Sequence, residues 1–353
     1  MENTRSLSGR GAAVRPANRF DGRTRAVPLD VLPDEDRNPD TRFLPDQSRS
    51  VVSENQSPDV GFRFSLNPYR GCEHGCSYCY ARPTHEYLGF DAGLDFETRI
   101  TVKYAAPRLF REFLSRPEWE PEPIALSGVT DPYQPCERQF LVTRRCLEVA
   151  ADAGQPVAVI TKNPLVTRDL DVLAPMAARR LAEVNVSLTT LDPQLARAME
   201  PRAGTPAARL RAVRELAAAG VPVRVLVSPV VPGLTDHELP AILEAAKEAG
   251  ARAAGYALLR LPGAVREVFL DWLGRHFPDR REKVLARVRD VRAGRLNDTE
   301  FGRRMTGTGQ LAGSVAALFR VFARRHGLDG GLPEFDLTHF RRPADARGQG
   351  RLF

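Results

Sequence analysis

Three of the five cysteines fall within eight positions, as Cys72, Cys76 and Cys79, in the run Gly71-Cys72-Glu73-His74-Gly75-Cys76-Ser77-Tyr78-Cys79-Tyr80. Glycines stand beside the first two, and glycine permits the backbone angles by which a short loop turns several thiols toward one centre. A disulfide would use two of the three thiols, strand the third and close a strained small ring. A structural zinc site takes four protein ligands, so His74 or His85 would have to complete the set. A cubane iron–sulfur cluster is held by thiolates. Three cysteines would hold three of its irons and leave the fourth open to a small molecule.

The spacing C-x3-C-x2-C, with Tyr78 before the last cysteine, resembles the signature of the radical SAM superfamily. The wider run, Asn67-Pro68-Tyr69-Arg70-Gly71-Cys72 together with Thr130-Asp131-Pro132-Tyr133-Gln134-Pro135, is similar to a bacterial branch related to spore photoproduct lyase. The resemblance implies a radical SAM enzyme, its [4Fe–4S] cluster on Cys72, Cys76 and Cys79. S-adenosyl-L-methionine would chelate the open iron, and an electron from the cluster would split it to a 5′-deoxyadenosyl radical. That radical would abstract hydrogen from a substrate the motif does not name. A flavodoxin or ferredoxin would supply the electron.

The resemblance also implies cofactor contacts. Tyr78 and Tyr80 flank the last cysteine, with Tyr78 near the adenine. Thr130, in Ser127-Gly128-Val129-Thr130-Asp131, matches the polar motif that binds the methionine ammonium; an Asp-Pro turn is its plainer role. Lys162 follows Val159-Ile160-Thr161 and would pair with the methionine carboxylate. Ser187 would bind the ribose hydroxyls, or else bond backbone within its strand. Glu200 is a further candidate. Spore photoproduct lyases keep a hydrogen-donating cysteine where this chain has Gly128, a departure that opposes DNA-photoproduct repair as the activity. Cys136 lies a few residues on, and Cys146 reads as a small apolar residue on a helix. A zinc-stabilised nucleic-acid-binding module without catalysis is the rival reading from another class.

Strand and helix patterns alternate from residue 124. Apolar runs at 123–127, 156–161, 183–188, 221–227 and 253–261 suit buried parallel strands. Helical patterns separate them, at about 140–153, 166–181, up to 219 and 235–249, with Thr235 or Asp236 as a cap. Residues 63–66 read as a strand leading into the cysteine loop, 96–103 as an extended piece and 107–114 as a helix. Repeated strand–helix units imply a parallel sheet, either doubly wound or an open barrel. The resemblance favours an α/β fold of the partial (β/α)6 TIM-like type, with active residues at the strand C-terminal ends. The expected organisation is a flexible leader over 1–60, the barrel over 61–262, a helical region over 263–335 packed on the barrel, and a polar tail over 336–353.

The formal charge is +7, and it is concentrated at the ends: residues 1–26 carry six basic against two acidic groups, and 275–353 carry 17 against 9. Basic ends suit phosphate contact, which keeps nucleic acid among the candidate substrates; solvated helix faces are the plainer reading. No 18-residue apolar run suggests a membrane span. The first 26 residues lack the apolar segment of a secretory signal, and clustered thiols fit a reducing cytoplasm. A monomer is expected.

Overall fold

The computed structural model describes residues 9–20, the backbone of 27–28, and 40–344. Six parallel strands form its centre: β1 (Phe64–Leu66), β2 (Ile124–Leu126), β3 (Val157–Thr161), β4 (Ala182–Ser187), β5 (Val223–Val230) and β6 (Ala253–Leu258). They pair in chain order, each parallel to the next. Helices link them: α1 (Ala106–Leu114), α2 (Val142–Ala153), α3 (Leu170–Ala178), α4 (Pro206–Ala218) and α5 (Leu239–Glu248). Five strand–helix–strand crossovers on an open parallel sheet are the partial barrel expected from the sequence. Val159, Val184, Val225 and Val227 are buried in one core with Leu147, Leu173, Leu216 and Ile242 of the helices. β-branched residues suit strands covered on both faces.

After β6 come α6 (Val265–His276), α7 (Arg281–Asp290) and α8 (Gly309–Arg325). An exposed edge strand is a liability, and the C-terminal segment covers this one. Phe319 of α8 packs on Tyr256 with ring centroids 4.7 Å apart, and the amides of Ala254 and Leu258 donate to the carbonyls of Leu328 and Met305. α6 instead buries Val265, Phe269, Trp272 and Leu273 in a second core shared with Cys76 and Tyr78. No described helix is long and apolar enough to cross a membrane.

Several expectations need correction. The described part of residues 1–60 is docked rather than flexible. Val52–Glu54 pairs antiparallel with β1, and Arg42–Pro45 pairs parallel with Arg99–Val102. The amides of Gly11 and Ala12 donate to the buried Glu97 carboxylate at 3.0 and 2.9 Å. A buried carboxylate needs such donors, so the chain there is held in place. Residues 1–8, 21–26 and 29–39 lie outside the described residues. The tail is docked as far as residue 342: the Arg341 amide donates to the Ala153 carbonyl at 2.7 Å, Arg342 donates to the Trp119 carbonyl at 3.1 Å, and Asp336 pairs with Arg180. Residues 345–353 lie outside the described residues. The extended piece at 96–103 begins as the helix Leu94–Thr98, because Asp91 accepts from the Gly93 and Asp95 amides and starts a helical turn. Neither Thr235 nor Asp236 caps α5. Their side chains accept from the amides of Val231 and Gly233 and tighten the preceding loop.

Candidate active site

The short strand Tyr69–Arg70 delivers the chain into the cysteine loop at the C-terminal end of the barrel strands. Gly71 and Gly75 have φ of +75° and +66°, in the left-handed region. A side chain at Gly75 would meet the Glu97 carboxylate at 2.7 Å, so the loop needs glycine there on two counts. Arg82, with no exposed surface, fixes the loop from below. Its Nε and Nη2 donate to the Cys76 carbonyl at 3.0 and 2.9 Å, and Nη2 also reaches Glu97 at 2.5 Å. Gln134 grips the other side, accepting from the Glu73 amide and donating to the Gly71 carbonyl. The Glu73 carboxylate accepts from the Cys136 amide at 2.6 Å.

Cys72 and Cys76 are buried and Cys79 half-buried. Burial pushes all three thiols above the ordinary cysteine range; for Cys72 and Cys76 the negative charges of Asp131 and Glu200 add to it. Metal binding at such a site has to displace thiol protons. Tetrahedral zinc asks all of its donors to stand about 2.0–2.3 Å from a single centre, whereas a cubane asks each thiolate to take a different iron. His74 and His85, the candidate fourth ligands of a zinc site, are engaged elsewhere. His74 Nδ1 faces Asp131 at 3.4 Å and its Nε2 faces the Asn163 amide at 3.3 Å. The His85 ring is buried among Phe90 and Phe96, and burial lowers its pKa to about 4. Three thiols on a rigid glycine loop, with no fourth ligand offered, form a donor set that fits a site-differentiated [4Fe–4S] cluster.

Around the loop stand the ends of β2, β3 and β4. Thr130 is buried; its hydroxyl donates to the Tyr69 carbonyl at 3.0 Å, which leaves its lone pairs as acceptors. Asp131 is the knot between strands, accepting from the Thr161 hydroxyl, the Lys162 amide and the Tyr133 amide. Burial alone would raise its pKa; His74 and these hydrogen bonds outweigh burial and hold the carboxyl below its ordinary range. Lys162 Nζ lies over the Tyr78 ring, 5.9 Å from its centroid. The Ser187 hydroxyl makes no hydrogen bond among the described residues, while the Ser187 carbonyl accepts from Arg209 at 3.0 Å. Tyr80 is exposed, and its hydroxyl donates to the Gly128 carbonyl at 2.6 Å.

Glu200 has a larger part than its bare candidacy suggested. It is buried between Arg209, Tyr78 and Thr189, all hydrogen-bonded to its carboxylate. Burial would raise its pKa, but the charges of Arg209 and Lys162 and these bonds bring it down to about 2. Tyr78 is thereby fixed by its hydroxyl beside Cys76. Asn163, Arg82, Glu97 and Arg209 are structural partners that sequence reasoning missed, and His74, a candidate zinc ligand in the sequence, instead faces Asp131 and Asn163. Only the placement of Arg82 next to the cysteine run hinted at them.

The family model of the Radical SAM superfamily matches residues 66–246, from the end of β1 into α5. The chain belongs to the radical SAM superfamily. An uncharacterised protein of Mycobacterium tuberculosis is 41% identical over 232 residues, covering 65% of this chain and 67% of that protein. An uncharacterised protein of Methanocaldococcus jannaschii is 28% identical over 178 residues, 50% of this chain and 64% of the other. Among solved structures, spore photoproduct lyase complexed with dinucleoside spore photoproduct has the same fold, with a TM-score of 0.57 at 14% identity over 80% of this chain and 79% of that one. Membership implies an enzyme, from a superfamily that typically uses a [4Fe–4S] cluster and S-adenosylmethionine.

Proposed function

We propose that Cys72, Cys76 and Cys79 hold a [4Fe–4S] cluster and that the ends of β2, β3 and β4 hold S-adenosyl-L-methionine beside it. The observation that carries this reading is the buried, rigidly braced three-thiol loop at the barrel mouth. When bound, the cluster supplies the electron that cleaves the cofactor reductively, giving methionine and a 5′-deoxyadenosyl radical that takes hydrogen from the substrate. The chain's own residues bind and orient. Tyr78 presents a ring whose hydroxyl is fixed to Glu200, so stacking on adenine costs little further ordering. Lys162 pairs with the methionine carboxylate, Thr130 accepts from its ammonium, and Ser187 serves the ribose hydroxyls. Tyr80 lines the mouth. The electron comes from a flavodoxin or ferredoxin in the cytoplasm, and the enzyme acts as a monomer.

Reduced, reconstituted protein given S-adenosylmethionine is expected to release 5′-deoxyadenosine and methionine slowly without substrate. Failure to do so, with four irons bound, would sink the reading. Lys162→Ala is expected to weaken cofactor binding roughly tenfold to hundredfold, because a charge-assisted hydrogen bond contributes about 1.5–3 kcal/mol. Ser187→Ala should weaken it less, and both variants should keep the wild-type visible spectrum. Unchanged affinity in both would mean that the cofactor lies elsewhere.

A DNA-photoproduct lyase is the second reading, favoured by the shared fold. Gly128 opposes it. A substrate radical needs a nearby hydrogen donor, and Gly128, with φ +108° at the end of β2, has no side chain to give one. Cys136 is buried in the main core, with its amide tied to Glu73. The expected outcome of anaerobic incubation with dinucleoside spore photoproduct is therefore no thymidine dinucleotide by chromatography. Turnover that falls sharply in Cys136→Ala would make that thiol the donor after all. Turnover that survives it would defeat the argument from Gly128.

A further inference from the structure

The cysteine loop has a neighbour far from it in sequence and outside the residues that the family model matches. Gly11 rests its backbone on Gly75, the residue before Cys76. A Cβ at Gly11 would stand 1.6 Å from the Gly75 carbonyl oxygen and 2.8 Å from its carbon. The reverse approach is close too: a Cβ at Gly75 would stand 3.3 Å from the Gly11 nitrogen. Glycine at both positions lets the two backbones meet. The segment is fastened at further points. Ala12 and Val14 are buried against Val268 of α6. The Asn18 side-chain amide donates to the carbonyls of Glu86 and Phe90 at 3.2 and 3.1 Å, and Arg15 pairs with Asp91 at 3.6 Å. Residues 11–18 are thus a strap drawn across the stretch that follows the cysteine loop.

What the strap does for the loop follows from Glu97. That residue has no exposed surface, and a buried carboxylate needs donors around it. Arg82 is one, and the Gly11 and Ala12 amides, at 3.0 and 2.9 Å, are two more. Arg82 in turn gives Nε and Nη2 to the Cys76 carbonyl and Nη1 to the carbonyls of Ala92 and Gly93. A continuous line of contacts therefore runs from the strap amides through Glu97 and Arg82 to the backbone of Cys76. If the strap lifts, Glu97 loses two donors and Gly75 loses its backing. Water then has to enter beneath the loop to satisfy the carboxylate, because leaving it short of partners is costly.

We propose that Gly11 and Ala12 are positioning residues of the cysteine loop: the strap they begin seals the loop at Gly75 and keeps Glu97 and Arg82 aligned beneath Cys76. The contacts stand by themselves, whereas their bearing on a cluster rests on the reading proposed above. Under that reading the strap sets how long the cluster is retained, because iron escapes through local opening of the loop that holds its thiolates. The three-cysteine motif is then only part of the site, and a segment well before it in the chain completes the rest.

The test compares Gly11→Ala with Gly61→Ala in the full-length protein. Both add one methyl group, but at Gly61 nothing lies within 4 Å of it. After reconstitution, Gly11→Ala should lose iron to a chelator roughly tenfold faster than wild type, since overpacking against backbone raises the population of the opened loop by about that factor. Gly61→Ala should match wild type. In metal-free protein, iodoacetamide should label the peptide carrying Cys72, Cys76 and Cys79 faster in Gly11→Ala by a similar factor, read by mass spectrometry. Cys146, with no exposed surface, is the internal reference, and its labelling should keep the wild-type rate. Wild-type rates in Gly11→Ala, or equal acceleration in Gly61→Ala, would overturn the proposal. So would labelling of Cys146 that rises in step with the loop, the mark of general unfolding. The labelling arm needs no cluster, so a wild type that binds no iron would defeat the cluster reading and still leave the strap tested.

Discussion

Alanine at any one of Cys72, Cys76 or Cys79 is expected to abolish cluster assembly, whereas alanine at Cys146 should leave it intact. The two outcomes follow from where the thiols stand. The first three share one loop, fixed by Arg82, Gln134 and the backbone of Phe96. With only two thiolates the loop would offer ligands to two irons of a cubane rather than three. Cys136 is packed in the main core, and Cys146 lies in α2 with no exposed surface. Removing the Cys146 sulfur leaves only a small cavity, a loss on the order of 1 kcal/mol. Anaerobic reconstitution followed by iron and sulfide analysis is the measurement. Wild type and Cys146→Ala should hold about four of each per chain, as a cubane does. Iron retained at that level in Cys76→Ala, or stoichiometric zinc in wild type, would refute the assignment.

The cysteine loop was legible in the sequence because its signal is local: three thiols and two glycines within nine residues. The parallel strands were legible for a related reason. Buried strands are short apolar runs between helical periods, and β3 to β6 each fell within a residue or a few of the expected range. Residues 9–20 and 40–54 were misjudged because their order comes from partners far away in sequence. Gly11 and Ala12 are fixed by Glu97, and Val52–Glu54 by β1. A polar, proline-rich stretch carries no periodic trace of such docking.

The ion pair of Glu200 and Arg209 is the second place where a single substitution has a large expected effect. Both side chains are buried, and Arg209 also ties the Ser187 and Gly204 carbonyls into the same knot. Removing one partner of a buried pair leaves the other charge uncompensated, at a cost of about 3–5 kcal/mol. That is a large share of the roughly 5–15 kcal/mol by which domains are stable. Arg209→Met is therefore expected to lower the denaturant midpoint at pH 7 severely, and Arg209→Met with Glu200→Gln to recover part of the loss. The pH dependence fixes the sign. In wild type the folded Glu200 carboxyl titrates at about 2 against an ordinary 4.5, so its stabilisation is complete above pH 4.5 and is lost as pH falls toward 2. Without Arg209 the carboxyl loses the largest of the charges that offset its burial, so its pKa is expected to rise and protonation to favour the folded state. The gap between wild type and Arg209→Met should accordingly narrow between pH 7 and pH 5, whereas a defect of packing alone would not change with pH. A constant gap would mean that the arginine acts only through the carbonyls it binds. Because Tyr78 is held by the Glu200 carboxylate, the variant should also bind S-adenosylmethionine more weakly under conditions where it remains folded.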